Sequence, residues 1–479
     1  MKEPEPVLKA EYLSKLPPVW PDETLRGQIK VRNSQARRCI VALDDDPTGT
    51  QTVHDVWVLA CWEVSDLRAA LSDAEPVLYI LTNSRSMPLD EAQRINREIA
   101  ANLVKAAKAE QRLVTVVSRS DSTLRGHYPG EVDALNEALA QAQGASFAGL
   151  CLIPFFPEGG RFTVDDVHWV QEGERLIPAA QTPYARDAVF GYTHSYLPSW
   201  IEEKTGGRVK ASQVSSVTLD TIRRGGPGRV ASLLRQVQDG GVVVVNATSD
   251  RDLEVFAAGW LEVEEQARHF LFRCAASFVK IAGGVSDKDL LSAKELVKTG
   301  SDGGGLVVFG SHVPKSTAQL AALHGVEGIQ AVQLHVPQLL ENATRQAAID
   351  QAAKAVDAAL TSREDVILYT SRELVTGNSQ AENLDIGKSV SAALVQVVRA
   401  IRCRPRFVIG KGGITSSDLA TQAMNVRAAR VLGQVLPGVP VWKLGSASRW
   451  PGLPYIVFPG NVGDDQAVAR VVMGLRAAG

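Results

Sequence analysis

Residues 39–50 read CIVALDDDPTGT, a short apolar run followed at once by three aspartates and a turn. The apolar run is rich in β-branched side chains and ends in turn residues, which is typical of a strand buried in a sheet. In open α/β sheets, ligands bind at the carboxyl ends of the strands. Clustered carboxylates are costly there unless a cation, a hydroxyl group or backbone N–H groups meet them. The stretch therefore predicts an α/β enzyme whose chemistry involves Asp44, Asp45 and Asp46.

Segments typical of strands and helices alternate along the chain beyond this stretch. The predicted strands are residues 56–60, 77–81, 113–117, 149–154 and 241–246, and the predicted helices are residues 89–107 and 131–142. Such alternation is typical of a largely parallel sheet with helices on its faces. Residues 155–225 are rich in glycine, proline and aromatic residues and show no clear periodicity. A segment of that length inside a compact domain is usually functional.

The pattern restarts after residues 282–301, where glycine pairs flank a charged helix and favour a domain boundary. The second series has predicted strands at residues 306–310, 330–334, 365–370, 406–410 and 439–444, and predicted helices at residues 315–323, 343–360, 386–401, 417–424 and from about 464. The predicted fold is two α/β domains in series, each with a largely parallel sheet flanked by helices. We predict an N-terminal extension at 1–36 and domains at 37–295 and 296–479, with the active site in the cleft between the domains.

The composition narrows the class of protein. The 479 residues carry a net charge of −2, so we expect no basic face for nucleic acid. The five cysteines form no CxxC pair, which excludes a disulfide framework or zinc ribbon and fits a reducing compartment. No apolar run approaches the roughly 20 residues that span a bilayer, and the first residues do not resemble a signal peptide. We therefore expect a cytoplasmic protein without a membrane partner.

Three glycine-bearing turns follow predicted strands in the second half, at residues 310–312, 410–418 and 459–465. Glycine lets backbone N–H groups approach a phosphate closely, and a following helix adds its dipole. Lys411 would add a positive charge. No segment matches GxxxxGK[ST], so the turns do not form a Walker-type loop. A nucleotide site and a set of plain tight turns both remain open on this evidence.

Polar residues end the predicted strands of the first half, in the segments 44–50, 82–86 and 118–127. Arginine forks bind carboxylates, while aspartate, asparagine and serine bind sugar hydroxyls. These segments predict a small, hydroxylated anion as the ligand. The alternative is that three arginines, Arg85, Arg119 and Arg125, only neutralise the aspartates.

Residues 165–168, Asp-Asp-Val-His, contain side chains that can bind a metal. A solvated loop with an ordinary hydrogen-bonded histidine is the favoured interpretation. The eight histidines form no HxxxH or HExxH pattern, so the sequence does not support zinc hydrolysis.

Taken together, the motifs resemble those of the four-carbon acid sugar kinase family, which includes threonate, erythronate and 3-oxo-tetronate kinases. The motifs are DDPTG at 45–49, SRSDSTLRG at 118–126, PFFPEGGR at 154–161, TPYARD at 182–187, GS at 310–311, YTSR at 369–372, GGIT at 412–415 and PGN at 459–461. They occur in the family's order and cover nearly everything after residue 36.

The resemblance implies an acid-sugar-binding domain at 37–295 and an ATP-binding domain at 296–479. The implied reaction is phosphorylation of a terminal hydroxyl, with ATP and Mg²⁺ as cofactors and Asp45 or Asp46 as the base. The implied substrate-binding residues are Arg85, Asp121, Ser122 and Arg125. The implied ATP-binding residues are Ser311, Gly412, Gly413, Ile414, Thr415, Gly460 and Asn461. For Mg²⁺, the candidates are Asp464 and carboxylates that bind the ion through water.

Two departures from the family pattern keep other functions open. The family's usual GGET reads GGIT here, so a carboxylate beside the nucleotide is missing. The extra Asp44 and the continuation at 50–54 are typical of a longer subgroup. The alternatives are a sugar-acid-binding or regulatory protein without catalysis, and an ATP-dependent ligase that activates a carboxylate. A homodimer is one option for the assembly.

Overall fold

The computed structural model describes residues 3–144, 146–297, 303–373, 375 and 380–478, which form two compact units. Unit 1 comprises Met1–Gly49 and Cys61–Asp287, and unit 2 comprises Thr50–Ala60 and Lys288–Gly479. The chain therefore enters unit 2 for a short excursion before its main crossing after Asp287. We did not predict the excursion, because its strand resembles every other strand of the alternating series. The predicted boundaries at 36/37 and 295/296 stay predictions.

The strands are numbered in chain order. They are β1 (Val7–Leu8), β2 (Arg38–Asp44), β3 (Val56–Leu59), β4 (Val77–Leu81), β5 (Leu113–Arg119), β6 (Gly149–Ile153), β7 (Arg161–Val164), β8 (Val167–Glu172), β9 (Arg175–Pro178), β10 (Ser215–Val217), β11 (Gly241–Val245), β12 (Phe270–Cys274), β13 (Leu306–Phe309), β14 (Ile329–Leu334), β15 (Asp365–Thr370), β16 (Val408–Lys411), β17 (Ala428–Leu436), β18 (Val439–Leu444) and β19 (Pro454–Phe458).

The α-helices follow the same convention. They are α1 (Lys9–Ser14), α2 (Leu25–Gln35), α3 (Val64–Ser72), α4 (Leu89–Ala109), α5 (Gly130–Gln143), α6 (Leu197–Lys204), α7 (Leu219–Arg223), α8 (Gly226–Leu234), α9 (Asp250–Glu264), α10 (Ala276–Ala282), α11 (Ala293–Leu296), α12 (Pro314–His324), α13 (Val336–Leu340), α14 (Asn342–Thr361), α15 (Gln380–Ala400), α16 (Gly413–Asp418) and α17 (Ala467–Ala478).

Unit 1 is built on a parallel sheet with the strand order β10-β11-β6-β12-β5-β2-β4. All seven residues of β2 are buried, as are all five of β4. A parallel sheet is covered on both faces, which explains why these strands read as continuous apolar runs. Helix α4 buries one stripe at helical spacing, which includes Ile95, Ile99 and Leu103. The predicted α/β class with a parallel sheet flanked by helices is confirmed.

A second, antiparallel sheet in unit 1 has the order β1-β9-β8-β7. It lies largely within residues 155–225, for which we predicted no regular periodicity. The two residues between β7 and β8, Asp165 and Asp166, have φ values of 52° and 59°. A two-residue turn with positive φ at both positions is the type I′ hairpin turn, in which aspartate is favoured. The residues considered as metal ligands are therefore a hairpin turn and the start of β8.

Unit 2 has the strand order β3-β17-β18-β19-β16-β13-β15-β14. The strands from β19 to β14 pair in parallel, whereas β3, β17 and β18 are antiparallel to their neighbours. The predicted helix at 417–424 begins earlier, as α16, and continues as a π-helical turn at Leu419–Ala423. Within the described ranges, no helix of either unit is both long and apolar enough to cross a membrane.

Candidate active site

The polar segments of unit 1 meet because β5, β2 and β4 are parallel neighbours. Asp44, the last residue of β2, lies opposite Leu81 of β4 and Arg119 of β5. The segments that follow these strands therefore leave the sheet at the same edge. The backbone N–H of Asp45 bonds to the carbonyl of Arg119 at 3.3 Å, and that of Arg85 bonds to the carbonyl of Asp45 at 3.4 Å.

Asp44 is buried and paired with an arginine. Its Oδ1 accepts a hydrogen bond from Nη1 of Arg119 at 2.9 Å. Burial raises the pKa of Asp44 to about 7, although the Arg119 guanidinium acts in the opposite direction. A Cβ at Gly49 would overlap the Asp44 carboxylate, so glycine is required where the turn folds back. Asp44 is therefore buried away from solvent and supports the structure of the cluster.

Asp45 is also buried, and both of its oxygens are occupied. Arg85 donates from Nη2 to Oδ1 at 2.6 Å and from Nε to Oδ2 at 3.2 Å. Ser120 donates its hydroxyl to Oδ2 at 2.5 Å. Burial opposes ionisation, but Arg85 and these hydrogen bonds hold the pKa of Asp45 below its usual value. The carboxylate therefore fixes the Arg85 guanidinium in place.

Asp46 differs from its two neighbours because its side chain is partly exposed. Thr48 donates to Oδ1 from its backbone N at 2.8 Å and from its hydroxyl at 2.6 Å. Oδ2 accepts no hydrogen bond from the described residues and lies 3.8 Å from Nη1 of Arg85. The side chain is 20% exposed, whereas those of Asp44 and Asp45 are 2% and 3% exposed. Asp46 is thus the member of the cluster that can reach a ligand.

Asp121 and Arg125 complete this edge of unit 1. Arg125 donates from Nε to Oδ2 of Asp121 at 2.8 Å, and Oδ1 of Asp121 lies 3.8 Å from Nη1 of Arg85. Burial opposes ionisation here too, but Arg125 and Arg85 lower the pKa of Asp121. Arg125 also faces Asp187, with Nη1 and Oδ2 3.6 Å apart. The structure thus brings together the predicted residues Asp45, Asp46, Arg85, Asp121 and Arg125.

Ser122 belongs to the same turn, which is anchored by residues that we did not predict. The buried His168 bonds through Nε2 to the carbonyl of Ser122 at 2.7 Å and through Nδ1 to the hydroxyl of Thr163 at 3.1 Å. Tyr192 donates its hydroxyl to the carbonyl of Thr123 at 2.8 Å. Burial lowers the pKa of His168 to about 4, so the ring is neutral and donates through Nε2. The contacts of His168 with Ser122 and of Tyr192 with Thr123 are between segments distant in sequence, and no local pattern signals them.

In unit 2, the three glycine turns meet at one edge of the sheet. Lys411 of β16 lies opposite Phe309 of β13 and Phe458 of β19, so the turns that follow are neighbours. A Cβ at Gly412 would lie 2.9 Å from the Cβ of Ser311, and a Cβ at Gly460 would lie 3.4 Å from the Oγ of Ser311. A larger residue at either glycine would fill the space beside Ser311. Gly412 also has a φ of 112°, which favours glycine.

The remaining predicted residues of unit 2 line the same turns. Gly413, Ile414 and Thr415 form the first turn of α16, and a Cβ at Gly310 would overlap the hydroxyl of Thr415. The Ile414 side chain is exposed at 59%, although it is apolar. Asn461 is exposed beside Gly460. The structure thus brings together all seven predicted ATP-binding residues.

Lys411 is buried rather than presented at the surface. Its Nζ donates to the carbonyls of Pro459 and Gly460, the latter at 3.0 Å, and lies 4.5 Å from the centroid of the Phe458 ring. Burial, with a smaller contribution from Lys315, lowers the pKa of Lys411 to about 7. The lysine therefore connects β16 to the turn after β19, and its ammonium group is already occupied.

The candidate metal ligand Asp464 is exposed and paired with Arg470, whose Nη1 and Nη2 lie 2.9 and 3.0 Å from its two oxygens. This pairing lowers the pKa of Asp464. Across the part of the chain that the structure describes, no group of three or more histidine, cysteine, aspartate and glutamate side chains is placed to hold a metal ion.

The two halves of the chain match two known domain families. Residues 40–282 match the family described as a sugar-binding N-terminal domain, and residues 306–468 match the family described as a nucleotide-binding C-terminal domain. No curated protein matches the sequence at a significant level.

Two solved structures share the fold. A Salmonella typhimurium LT2 protein, provisionally described as a tRNA synthase, is 18% identical with a TM-score of 0.66, over 91% of this chain and 98% of that one. A Haemophilus influenzae protein of the DUF1537 family is 17% identical with a TM-score of 0.62, over 91% of this chain and 99% of that one. At these identities, the likeness shows the fold alone.

Proposed function

The chain belongs to the four-carbon acid sugar kinase family, and from this membership we propose that it transfers the γ-phosphoryl group of ATP to the terminal hydroxyl of a small sugar acid. Threonate, erythronate and oxo-tetronates are the proposed substrates. The observation that carries the proposal is the partly exposed side chain of Asp46, whose Oδ2 accepts no hydrogen bond from the described residues and lies 3.8 Å from Nη1 of Arg85 at the carboxyl edge of the unit 1 sheet.

Asp46 is the proposed general base. Its Oδ2 would accept the proton of the substrate hydroxyl as the hydroxyl oxygen bonds to the γ-phosphorus and the bond from that phosphorus to the bridging oxygen of ADP breaks. The Nη1 of Arg85, which lies 3.8 Å from both Asp46 and Asp121, would stabilise negative charge on the transferred group. Asp45 would act as a positioning residue, since it holds Arg85 through two hydrogen bonds.

The glycine turns of unit 2 are the proposed ATP site. The space beside Ser311, Gly412 and Gly460 would admit a phosphate close to the backbone, and any larger residue at either glycine would fill it. Mg²⁺ would neutralise the phosphate charge, with its ligands drawn mainly from the phosphates and water. Asp464 fits poorly as a ligand because Arg470 occupies both of its oxygens.

A coupled assay of ADP release over D-threonate, L-threonate, D-erythronate and their neutral alcohols tests this proposal. We expect ADP release that depends on one of the acids. Binding of an acid without ADP release would instead identify a sensor, an alternative favoured by the exposed Ile414 in place of the usual glutamate. Phosphorus NMR of the product, followed by hydroxylamine treatment, separates the kinase from a ligase, because hydroxylamine cleaves an acyl phosphate and leaves a phosphate monoester intact.

A further inference from the structure

Arg161, the first residue of β7, has a guanidinium group that forms no hydrogen bond and no ion pair with the described residues. Its Nε is buried and forms no hydrogen bond, and among the described residues its side chain makes neither a hydrogen bond nor an ion pair. A guanidinium carries five N–H donors, and removing such a group from water without compensation is costly. The buried Nε of Arg161 is therefore a donor without an acceptor among the described residues.

The surroundings of Arg161 in unit 1 indicate which kind of ligand it binds. The guanidinium carbon of Arg161 lies 5.3 Å from the centroid of the Tyr184 ring, and that of Arg125 lies 5.2 Å from the same centroid. Arg125 is bound in turn to Asp121. Arg161 therefore belongs to the same edge of unit 1 as the proposed substrate-binding residues, although it comes from the small antiparallel sheet.

Three other arginines of this edge are already paired with carboxylates, whereas Arg273 donates to Ser120 and to the carbonyl of Arg125 and lies 4.0 Å from Glu131. Arg85 donates two hydrogen bonds to Asp45, and Arg119 is paired with Asp44. Arg125 faces two carboxylates, those of Asp121 and Asp187. The charge of Arg161, by contrast, has no described carboxylate within ion-pair distance. One such guanidinium balances the single charge of a carboxylate, and its planar fork matches the two oxygens of that group.

We propose that Arg161, which contacts the same Tyr184 ring as Arg125, binds the carboxylate of the substrate and so selects a sugar acid over a neutral polyol. This inference rests on the proposed function, since it names the group by which that substrate is recognised. Arg85 then serves the reacting end of the substrate, where it lies next to Asp46.

The test compares Arg161→Met with Arg175→Met, a matched change at an exposed arginine of the same small sheet. The probes are the four-carbon acid that the wild-type protein phosphorylates fastest and the corresponding neutral alcohol, threitol or erythritol. We expect Arg161→Met to raise KM for the acid by about tenfold to a hundredfold, the usual effect of losing hydrogen bonds to a charged group. We expect kcat, turnover of the alcohol and ATP affinity to stay within about threefold of the wild-type values. Arg175→Met should match the wild type throughout.

Stability provides a second measurement. Because Arg161 has no hydrogen bond or ion pair with the described residues to lose, we expect the melting temperature of Arg161→Met without substrate to equal or exceed that of the wild type. We expect Arg161→Lys to recover part of the affinity for the acid. An unchanged KM for the acid in Arg161→Met would overturn the inference while the kinase function stands. So would an equal loss for acid and alcohol, since that is the behaviour of a structural residue. If the wild type phosphorylates none of the acids, the proposed function fails first and the inference fails with it.

Discussion

The two units place candidate sites at the carboxyl ends of their strands but build them by different means. In unit 1, arginines form ion pairs with aspartates, as Arg119 does with Asp44 and Arg85 with Asp45. In unit 2, the turns are shaped by glycines, and the ammonium group of Lys411 is held by backbone carbonyls. Ion pairs therefore fix the side chains of the first site, whereas glycines leave space beside the backbone in the second.

This difference determines which changes each site tolerates. A charge pair fails when one member is removed, because the other is left buried and unpaired. A glycine turn fails when a side chain is added, because the space beside the backbone is filled. Single substitutions should therefore separate the two sites cleanly, each affecting the function of one unit while the other keeps its ligand.

The largest effect is expected at Asp46. Asp46→Asn keeps the size of the side chain but removes the proposed base, so we expect turnover to fall by about a hundredfold to ten-thousandfold. ATP affinity, measured by calorimetry, should stay within about twofold of the wild-type value, since the turns of unit 2 are unchanged. Near-normal turnover in this variant would show that another group takes the proton.

The next largest effect is expected for stability, at the Arg119–Asp44 pair. Arg119→Met leaves the Asp44 carboxylate buried without its cation, and breaking a buried pair in this way typically costs about 3–5 kcal/mol. Urea unfolding followed through unit 1 measures the loss. The double variant Asp44→Asn with Arg119→Met should recover much of it, because no lone charge then remains buried. If the double variant is as unstable as the single one, packing rather than charge supports this edge.

Much of the fold could be predicted because parallel strands read as continuous apolar runs. The predicted strands at 77–81 and 365–370 coincide with β4 and β15. The antiparallel sheet of unit 1 was not predicted, because β7 and β9 have four residues each and mix polar with apolar side chains. The Asp165-Asp166 turn was the available signal, since paired aspartates favour a type I′ hairpin.

We could predict the residues of the candidate site that directly follow strands. We could not predict those that the fold brings together from distant parts of the sequence. Asp45, Asp46 and Arg125 lie in motifs that follow strands. Arg161 and His168 reach the same edge through the small sheet, whose packing no local pattern describes. The sequence also leaves the three aspartates equivalent, and only burial and hydrogen bonding distinguish Asp46 from the two before it.

A smaller effect is expected when charge is added to the glycine turns. Gly413→Asp places a carboxylate in the first turn of α16, where like-charge repulsion should weaken ATP binding by at least about tenfold. Binding of the sugar acid to unit 1 should be unchanged. Gly387→Asp is the matched control, because Gly387 lies on α15 with nothing within 4 Å of its Cβ position. Calorimetry that shows equal ATP affinity for both variants would place the nucleotide elsewhere.

The smallest effect is expected in the pH dependence of the unfolding free energy. Two buried titratable groups, Asp44 and Lys411, should change this free energy in opposite directions as the pH rises. The pKa of Asp44 is raised to about 7, so the folded state binds more protons than the unfolded chain between about pH 4 and 7, and stability falls as pH rises. The pKa of Lys411 is lowered to about 7, so the unfolded chain binds more protons between about pH 7 and 10, and stability rises with pH there.

Lys411→Met should therefore remove a slope of up to about 1.4 kcal/mol per pH unit from the unfolding free energy of unit 2 above pH 7. Urea midpoints at intervals from about pH 7 to 9.5 measure it, with Lys443→Met, at an exposed lysine of β18, as the control that keeps the slope. A slope that survives in Lys411→Met would mean that the lysine is not the titrating group. A slope that disappears would mean that unit 2 buries a titrating lysine, held only by the carbonyls of its glycine turns, whereas in unit 1 the buried Asp44 and Asp45 are each paired with an arginine.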